Sequence, residues 1–378
     1  MYTLRAMDGA AAGRPGEIAL AHDYLLVMRG AERTFAAMAD VYPGAPILTL
    51  LYDESGIDGR FDGRAIETSP LQRLGVGQDG FRRLLPLYPW AVSRLRVAPG
   101  TRVLLSSSSA FAHAIRTPAE TIHICYCHSP FRYAWHERAR ALSEMPTALR
   151  PALALQLAWM RRWDLAASRR VDHYIANSEI TRERVRTTYG REAPVIHPPV
   201  ETARFEPGEG DGEYLLLVSE IVRHKRIEVA LEAARRAHVK LRVVGTGPDL
   251  ELLRSSYPEA EFLGRVDDAG LADLYAGAAA LLMPAVEEFG ITAVEAQAAG
   301  RPVIAAAAGG ALETVLDGHT GMLVAPDDVG AFARAIAELS QLGLEPAAAV
   351  ENAARFSVEA FQKRLAAEVE RVLAEGTN

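Results

Sequence analysis

Short apolar runs alternate with segments of helical periodicity along most of the chain. In the first half, apolar runs that end in polar or turn residues fall at 18–21, 46–51, 102–106, 121–126 and 173–176. Helical segments run from about 147 to 170 and onward from about 178. Because buried strands that alternate with helices are typical of a parallel sheet, we predict an α/β domain over residues 1–198.

The pattern lapses and then starts again. A stretch rich in Pro and Gly covers the predicted linker, 199–212. The second domain, 213–355, has predicted strands at 214–218, 241–244, 260–263, 280–283 and 302–305 and a helix at 227–237. A charged helix within 356–378 is expected to pack back toward the first domain. The predicted fold class is α/β, with two doubly wound, Rossmann-like domains facing across a cleft.

Length, charge and hydropathy narrow the function classes. A chain of 378 residues suits two domains, and a net charge of -7 argues against nucleic-acid binding. No window reaches the roughly 18–20 apolar residues of a membrane-spanning helix, so we expect only peripheral membrane contact. Residues 1–17 lack an apolar core and are interpreted as a loose leader, not a signal peptide. The two cysteines, Cys125 and Cys127, suit a reducing cytoplasm.

Two glutamates, Glu287 and Glu295, stand eight positions apart across a predicted strand-to-helix turn in the segment 283–300. The segment resembles the E-x7-E signature of the retaining group 1 glycosyltransferases (glycosyltransferase family 4), which have the GT-B fold. The resemblance implies that Glu287 contacts the donor sugar and Glu295 the ribose of the nucleotide. Amides at the predicted helix start suit a diphosphate; these belong to Phe289, Gly290, Ile291 and Thr292. In the alternative interpretation, Glu287 is an acid stabilised only by the helix dipole.

A basic segment after the strand at 214–218 resembles the family segment that neutralises the donor diphosphate. Lys225 matches the family lysine, which would stabilise the charge of the departing nucleoside diphosphate. Glu220 occupies the position of the family arginine, so Arg223, Arg226 or helix amides are expected to supply the missing charge. Each arginine could equally be part of a solvated helix start.

Further donor-side candidates follow from shorter resemblances. They are Gly30 in the first glycine-containing turn, Gly245 after the strand at 241–244, and Arg265 and Val266, whose main-chain groups match a segment that reads the nucleobase. Glycine is also favoured in any tight turn, which is the plainer explanation for Gly30 and Gly245. A strand end and nothing more is the alternative for Arg265 and Val266.

The strand at 121–126 leads into a segment that gathers an imidazole, a guanidinium and several aromatic rings. It resembles the segment of bacterial polysaccharide mannosyltransferases that supplies an active-site histidine, matched here by His128. We expect His128 to hold the sugar or the acceptor hydroxyl, with proton handling near neutral pH, and expect Arg132 and Tyr133 to bind the acceptor. A core or capping role is the alternative for His128. A zinc site with the neighbouring cysteines is disfavoured, because successive strand residues point to opposite faces.

Together these resemblances imply a retaining, metal-independent hexosyltransferase without a cofactor, in which His128, Lys225 and Glu287 are catalytic. The preferred donor is GDP-mannose; a UDP- or dTDP-sugar donor and a non-catalytic nucleotide-sugar-binding protein are the alternatives. The acceptor is a glycan, a lipid-linked sugar or a small molecule. Basic and aromatic residues interleave at 80–96, which suits peripheral contact at the inner face of the membrane.

Overall fold

The computed structural model describes residues 17–78, 80–210 and 212–375. All but the last residue of the predicted leader, 1–17, and the last three residues of the segment 356–378 lie outside the described residues. The described residues form two compact units, one of residues 17–177, 181–196 and 362–375, the other of residues 178–180 and 197–361. The linker and the domain boundaries drawn from the sequence stay predictions.

The described residues up to 189 form six strands and five α-helices. The strands are β1 (Ile18–His22), β2 (Ile47–Thr49), β3 (Ile66–Thr68), β4 (Val103–Ser108), β5 (Ile122–Cys127) and β6 (His173–Ala176). The helices are α1 (Gly30–Val41), α2 (Tyr88–Val92), α3 (Arg138–Glu144), α4 (Arg150–Ser168) and α5 (Glu179–Tyr189). All strand pairs are parallel, in the order β3-β2-β1-β4-β5-β6. The order reverses direction between β1 and β4.

The rest of the chain repeats this plan. Its strands are β7 (Tyr214–Val218), β8 (Leu241–Val244), β9 (Glu261–Gly264), β10 (Ala278–Met283), β11 (Val303–Ala306) and β12 (Gly321–Val324). Its helices are α6 (Ile227–Ala237), α7 (Leu250–Ser256), α8 (Asp268–Ala276), α9 (Ile291–Ala298), α10 (Ala311–Thr314), α11 (Val329–Glu338), α12 (Pro346–Ala354) and α13 (Val358–Glu375). The sheet is again parallel, in the order β12-β11-β10-β7-β8-β9, and it reverses between β7 and β10.

Alternation along the strands explains how each sheet is buried on both faces. In the second sheet, Leu216 and Leu281 belong to one apolar cluster, whereas Leu215, Leu217 and Leu282 belong to the cluster on the opposite face. A parallel sheet covered by helices on both faces needs apolar residues at every strand position, which is why these strands read as continuous apolar runs.

The final helix, α13, belongs to the first unit from Gln362 onward. The Gln362 side chain donates to the carbonyl of Ala37 (3.1 Å), and Glu368 pairs with His173 (2.7 Å). Two hydrogen-bonded groups thus attach the last helix to a unit that the chain otherwise leaves at residue 196. No helix of the described residues combines the length and the apolar character needed to cross a membrane.

Candidate functional site

The second unit brings Lys225 and Glu287 together at the point where its strand order reverses. Lys225 ends a short 3-10 turn after β7, and Glu287 lies in the loop after β10, the neighbouring strand. The Lys225 ammonium donates to both carboxylate oxygens of Glu287, at 2.6 and 2.8 Å. The side chains stay 23% and 27% exposed, so a ligand could reach them. Open α/β sheets bind ligands at this kind of edge.

Close backbone packing holds the loop of Glu287 in place. The amide of Gly310 donates to the Glu287 carbonyl (2.8 Å), and a Cβ on Gly310 would lie 2.3 Å from the Phe289 carbonyl oxygen. Gly245 fills the same need beside β7: it has a φ of +137°, and its Cβ would lie 1.8 Å from the Ser219 carbonyl oxygen. Only glycine permits these approaches without displacing a backbone. Gly245 therefore supports the segment that leads to Lys225.

Glu295 lies within α9, as the sequence predicts, and a buried tyrosine orients it. The Tyr275 hydroxyl donates to Glu295 Oε2 at 2.8 Å. Burial raises the pKa of Tyr275 well above its usual value, and the Glu295 carboxylate raises it further, so the phenol stays a donor. The helix α9 begins at Ile291 after Gly290 at a φ of +87°, and amides in a first turn have no partner within their helix.

The two arginines that could replace the family arginine differ in their surroundings. Arg226 pairs with Asp327 at 2.5 Å and with Glu228 at 3.3 Å. The hydrogen bond to Asp327 raises the pKa of Arg226. Arg223 is exposed and makes no ion pair with any described residue. Because Arg223 is not held by a carboxylate, it is the better candidate for the charge that Glu220 cannot provide.

The two nucleobase candidates follow β9, two strands from β7 at the same edge of the sheet. Arg265 is exposed, and Val266 packs against the apolar cluster that also holds Leu263. The backbone bond from Gly245 to the Gly264 carbonyl (2.8 Å) ties this strand end to the glycine turn after β8. The role of Arg265 and Val266 stays a prediction.

His197 supports the Glu287 loop and was not predicted from the sequence. Its ring stacks on Phe289, with centroids 5.5 Å apart, and its Nε2 lies 2.8 Å from Glu313 Oε2. Glu313 lies in α10, three residues after Gly310. The contact joins residues more than 100 positions apart in the sequence, and the only local signal is a histidine before two prolines.

In the first unit, His128 lies just beyond β5 and is only 7% exposed. Its Nε2 is 2.8 Å from the hydroxyl of Ser107, and its ring meets Tyr126 edge-on at 5.2 Å. Burial lowers the pKa of His128 to about 3, and the nearby His22 contributes to the shift. Burial disfavours the charged ring, which argues against the predicted proton handling near neutral pH.

Polar residues at the ends of β1 and β4 meet where the first sheet reverses, a site that was not predicted from the sequence. His22 Nδ1 lies 3.1 Å from the Ser107 hydroxyl. The buried Asp23 carboxylate accepts from the Ser108 hydroxyl (3.2 Å) and from the backbone amides of 109, 111 and 112 at 2.6–2.9 Å. The signal was a polar run at two strand ends, His22-Asp23 and Ser106 to Ser109. Asp23 fixes the loop after β4.

The remaining candidates of the first unit have separate settings. Arg132 is half-buried, 4.0 Å from Glu137, and Tyr133 meets Phe131 edge-on at 6.0 Å. Gly30 begins α1, where its carbonyl accepts from the Thr34 hydroxyl (2.9 Å). Their roles in binding acceptor or donor stay predictions.

Both cysteines are buried with free thiols. Burial raises the pKa of the Cys125 thiol to about 12, so it stays protonated. Across residues 17–78, 80–210 and 212–375, no group of three or more His, Cys, Asp or Glu side chains is arranged to hold a metal ion.

Two solved structures share this architecture over nearly their whole length. Sucrose-phosphate synthase from Thermosynechococcus elongatus has a TM-score of 0.72 at 19% identity and covers 95% of this chain and 99% of its own. Anabaena HepE in complex with UDP has a TM-score of 0.67 at 17% identity and covers 94% and 100%. These likenesses show the fold, and with the two parallel six-stranded sheets they confirm the predicted two-domain GT-B architecture.

Curated relatives match over part of their length. D-inositol 3-phosphate glycosyltransferase 2 of Catenulispora acidiphila is 34% identical over 225 residues, 49% of this chain and 52% of that protein. D-inositol 3-phosphate glycosyltransferase of Mycobacterium leprae (strain Br4923) is 32% identical over 213 residues, 48% and 50% of the two chains. The chain thus spans about half the length of the curated relatives it matches.

Two family models match successive parts of the chain. Residues 56–204 match the model described as Glycosyltransferase Family 4, and residues 212–341 match the model described as Glycosyl transferases group 1. The first match contains β3 to β6 and the second contains the whole second sheet. With both models matched in sequence order and the GT-B fold present, the chain belongs to the group 1 glycosyltransferases of family 4.

Proposed function

We propose that the protein transfers a glycosyl group from a nucleoside-diphosphate sugar to a hydroxyl group of an acceptor. The observation that carries this proposal is the Lys225–Glu287 pair at the reversal point of the second sheet. A donor of this class presents a diphosphate and a sugar side by side, and the pair offers an ammonium and a carboxylate side by side. Family membership and the half-length curated relatives support the same reaction class.

In this mechanism Lys225 stabilises the negative charge that grows on the diphosphate as the bond to the sugar breaks. Glu287 accepts hydrogen bonds from hydroxyls of the donor sugar, and such charge-assisted bonds are strong and directional. The pair keeps both side chains in place before the donor arrives, so less order is lost on binding. Arg223 and the amides at the start of α9 add positive potential, and Glu295 accepts from the ribose.

His128 acts as a neutral hydrogen-bonding group toward a sugar hydroxyl, in keeping with its buried ring. We assign acceptor binding to the first unit, with Arg132 and Tyr133 as contacts and Gly30 as a close-approach site. The acceptor class is a glycan, a lipid-linked sugar or a small molecule. Because two curated relatives are named for inositol 3-phosphate, that compound belongs in an acceptor screen.

We propose that the transfer retains the anomeric configuration by attack from the face that the diphosphate leaves. Lys225 provides a fixed positive charge beside the leaving group, so the proposed mechanism uses no metal ion and no cofactor. The anomeric configuration of the product, determined by NMR, tests retention; an inverted product would overturn it. Equal turnover with and without EDTA is expected.

GDP-mannose is the proposed donor, by resemblance to bacterial mannosyltransferases, with UDP- and dTDP-sugars as alternatives. A thermal-shift screen against GDP, UDP, dTDP, ADP and their sugar conjugates tests this, because a ligand that binds only the native state raises its stability. A selective shift with GDP and GDP-mannose supports the donor. Selective stabilisation by a uridine or thymidine nucleotide would keep the reaction class but reject mannose. No shift with any nucleotide would count against the reaction class.

Peripheral contact with the inner face of a membrane is proposed for the segment 80–96. Trp90 is 47% exposed and Leu87 is 45% exposed, and the guanidinium of Arg94 lies 5.6 Å from the Trp90 ring centroid. Arg82 and Arg83 are also exposed. An apolar surface framed by cations suits anionic lipid. Co-sedimentation with anionic liposomes should fall for Arg82→Glu/Arg83→Glu; unchanged binding would remove this surface from the proposal.

A further inference from the structure

Four side chains of the first unit form a chain of polar contacts that ends at His128. Glu32 Oε1 lies 3.9 Å from His22 Nε2, and His22 Nδ1 lies 3.1 Å from the Ser107 hydroxyl. The same hydroxyl lies 2.8 Å from His128 Nε2. His22, Ser107 and His128 are buried, and the His22 ring stacks on Phe35 with centroids 4.9 Å apart. The order of contacts is therefore Glu32, His22, Ser107, His128.

The direction of these hydrogen bonds follows from the chemistry of the groups. The Glu32 carboxylate, 3.9 Å from His22 Nε2, is beyond hydrogen-bond distance, but its negative charge favours an N–H there over a lone pair. A neutral His22 then has a lone pair on Nδ1, which accepts the hydroxyl proton of Ser107. The Ser107 oxygen has given its one proton away, so it accepts from His128 Nε2–H. In neutral His128 the remaining nitrogen, Nδ1, is then a bare acceptor.

We propose that Glu32, His22 and Ser107 are positioning residues that hold His128 in its Nε2–H tautomer, so that Nδ1 accepts a hydrogen bond from a sugar hydroxyl. Among the described residues, His128 Nδ1 has no hydrogen-bond partner. The tautomer itself follows from the polar chain alone, whereas the sugar hydroxyl as its partner rests on the proposed function. Without the relay, the neutral ring could place its proton on either nitrogen and present a donor instead of an acceptor.

The neighbouring strand position provides a matched comparison. The Ser106 hydroxyl lies 2.8 Å from His123 Nε2, a contact as short as that between Ser107 and His128. Ser106 and Ser107 are adjacent and buried but point to opposite faces of β4. Removing the Ser106 hydroxyl therefore disturbs the same strand without touching the relay.

The experiment is nitrogen NMR of the full chain labelled with ¹⁵N-histidine, recorded at pH 8, where an ordinary imidazole is neutral. The chain has ten histidines, and His128→Asn identifies the His128 signals. We expect a protonated Nε2 and an unprotonated Nδ1 for His128 in the wild type. Ser107→Ala should shift both signals toward a mixture of tautomers, and Ser106→Ala should leave them unchanged.

Glu32→Gln is the second variant, because Glu32 lies nearer the surface and its amide analogue can keep the bond from the Arg29 amide (3.2 Å). A glutamine can donate as well as accept, so it no longer favours one direction, and the mixed tautomer should appear. An Nδ1–H tautomer in the wild type would overturn the proposal. So would a pure Nε2–H tautomer that persists in both Ser107→Ala and Glu32→Gln.

Turnover separates this inference from the proposed function. If the wild type transfers sugar, Ser107→Ala should lower kcat about tenfold with little change in nucleotide affinity, the size expected for one lost hydrogen bond. Ser106→Ala should keep the wild-type kcat. If the tautomers behave as expected but no donor and acceptor pair gives turnover, the relay stands and the proposed reaction fails. Unchanged kcat in a Ser107→Ala protein with mixed tautomers would overturn the role toward the sugar.

Discussion

Replacing Lys225 by alanine should damage turnover far more than stability. At an effective dielectric constant of about 20, two charges about 2.7 Å apart attract by about 6 kcal/mol, but desolvation opposes most of this attraction. Both side chains are about a quarter exposed, which adds solvent screening. We therefore expect Lys225→Ala to lower the free energy of unfolding by only about 1–2 kcal/mol.

The catalytic loss should be larger, because the ammonium acts on charge that develops in the transition state. Loss of one such group typically lowers kcat by about 10²–10³-fold, equivalent to about 3–4 kcal/mol. The assay is product formation under donor saturation, with urea unfolding measured on the same samples. Lys240→Ala is the matched control, since it removes a lysine 2.8 Å from Glu261 in the same unit. A kcat within about threefold of wild type for Lys225→Ala would refute the reasoning.

Three further results are expected. Gly310→Ala should weaken nucleotide binding at least tenfold in a thermal-shift titration, because the new Cβ would fall 2.3 Å from the Phe289 carbonyl oxygen; unchanged affinity would contradict the packing argument. Asp23→Asn should lower the free energy of unfolding in urea by about 2–4 kcal/mol, because an amide cannot accept all the donors that surround the carboxylate; a loss below about 0.5 kcal/mol would contradict it. Burial lowers the pKa values of His123 and His128 to about 3 in the folded protein. In the unfolded chain both rings become protonated as the pH falls below about 6.5, so acid favours the unfolded state. For each of the two rings, the free energy of unfolding should fall by about 2 kcal/mol between pH 7 and pH 5. In urea unfolding, His123→Gln should reduce the total fall by about 2 kcal/mol. An unchanged pH dependence would contradict a neutral, buried His123.

The pattern of apolar runs was sufficient to predict five of the six described strands in each parallel sheet. Strands buried on both faces need apolar residues at each position, and helix and strand lengths separate the two kinds of element. The helix over 227–237 and the strand over 241–244 have the predicted bounds. The edge strands β3 and β12 were missed. The first reads Ile-Glu-Thr and has no apolar run, and the second has an apolar run of only four residues, which is too short to be distinguished from a loop.

The candidate site could be proposed from the sequence where its residues lie close together. Glu287 and Glu295 were predicted from one strand-to-helix segment, 283–300, and Lys225 was predicted from the basic segment after the strand at 214–218. The residues that were missed act over long distances: His22 meets Ser107 across 85 positions, and His197 meets Glu313 across 116. Strand order decides such contacts, and strand order cannot be read from periodicity. The burial of His128 also depends on the tertiary structure, so its lowered pKa could not be predicted from the sequence.

The two units use the same kind of position in their sheets for different tasks. In each sheet the strand order reverses at the first strand of the unit, and the polar residues collect at the carboxyl ends of the two strands that flank the reversal. The second unit places an ion pair there that remains partly accessible, which suits a ligand with a diphosphate. The first unit places buried hydrogen-bonding groups there, and of these His128, held by Ser107, provides a neutral group that suits a hydroxyl. A glycosyl transfer needs one site for a charged donor and one for groups that carry hydroxyls. The presence of both kinds of site therefore favours the proposed reaction over nucleotide binding alone.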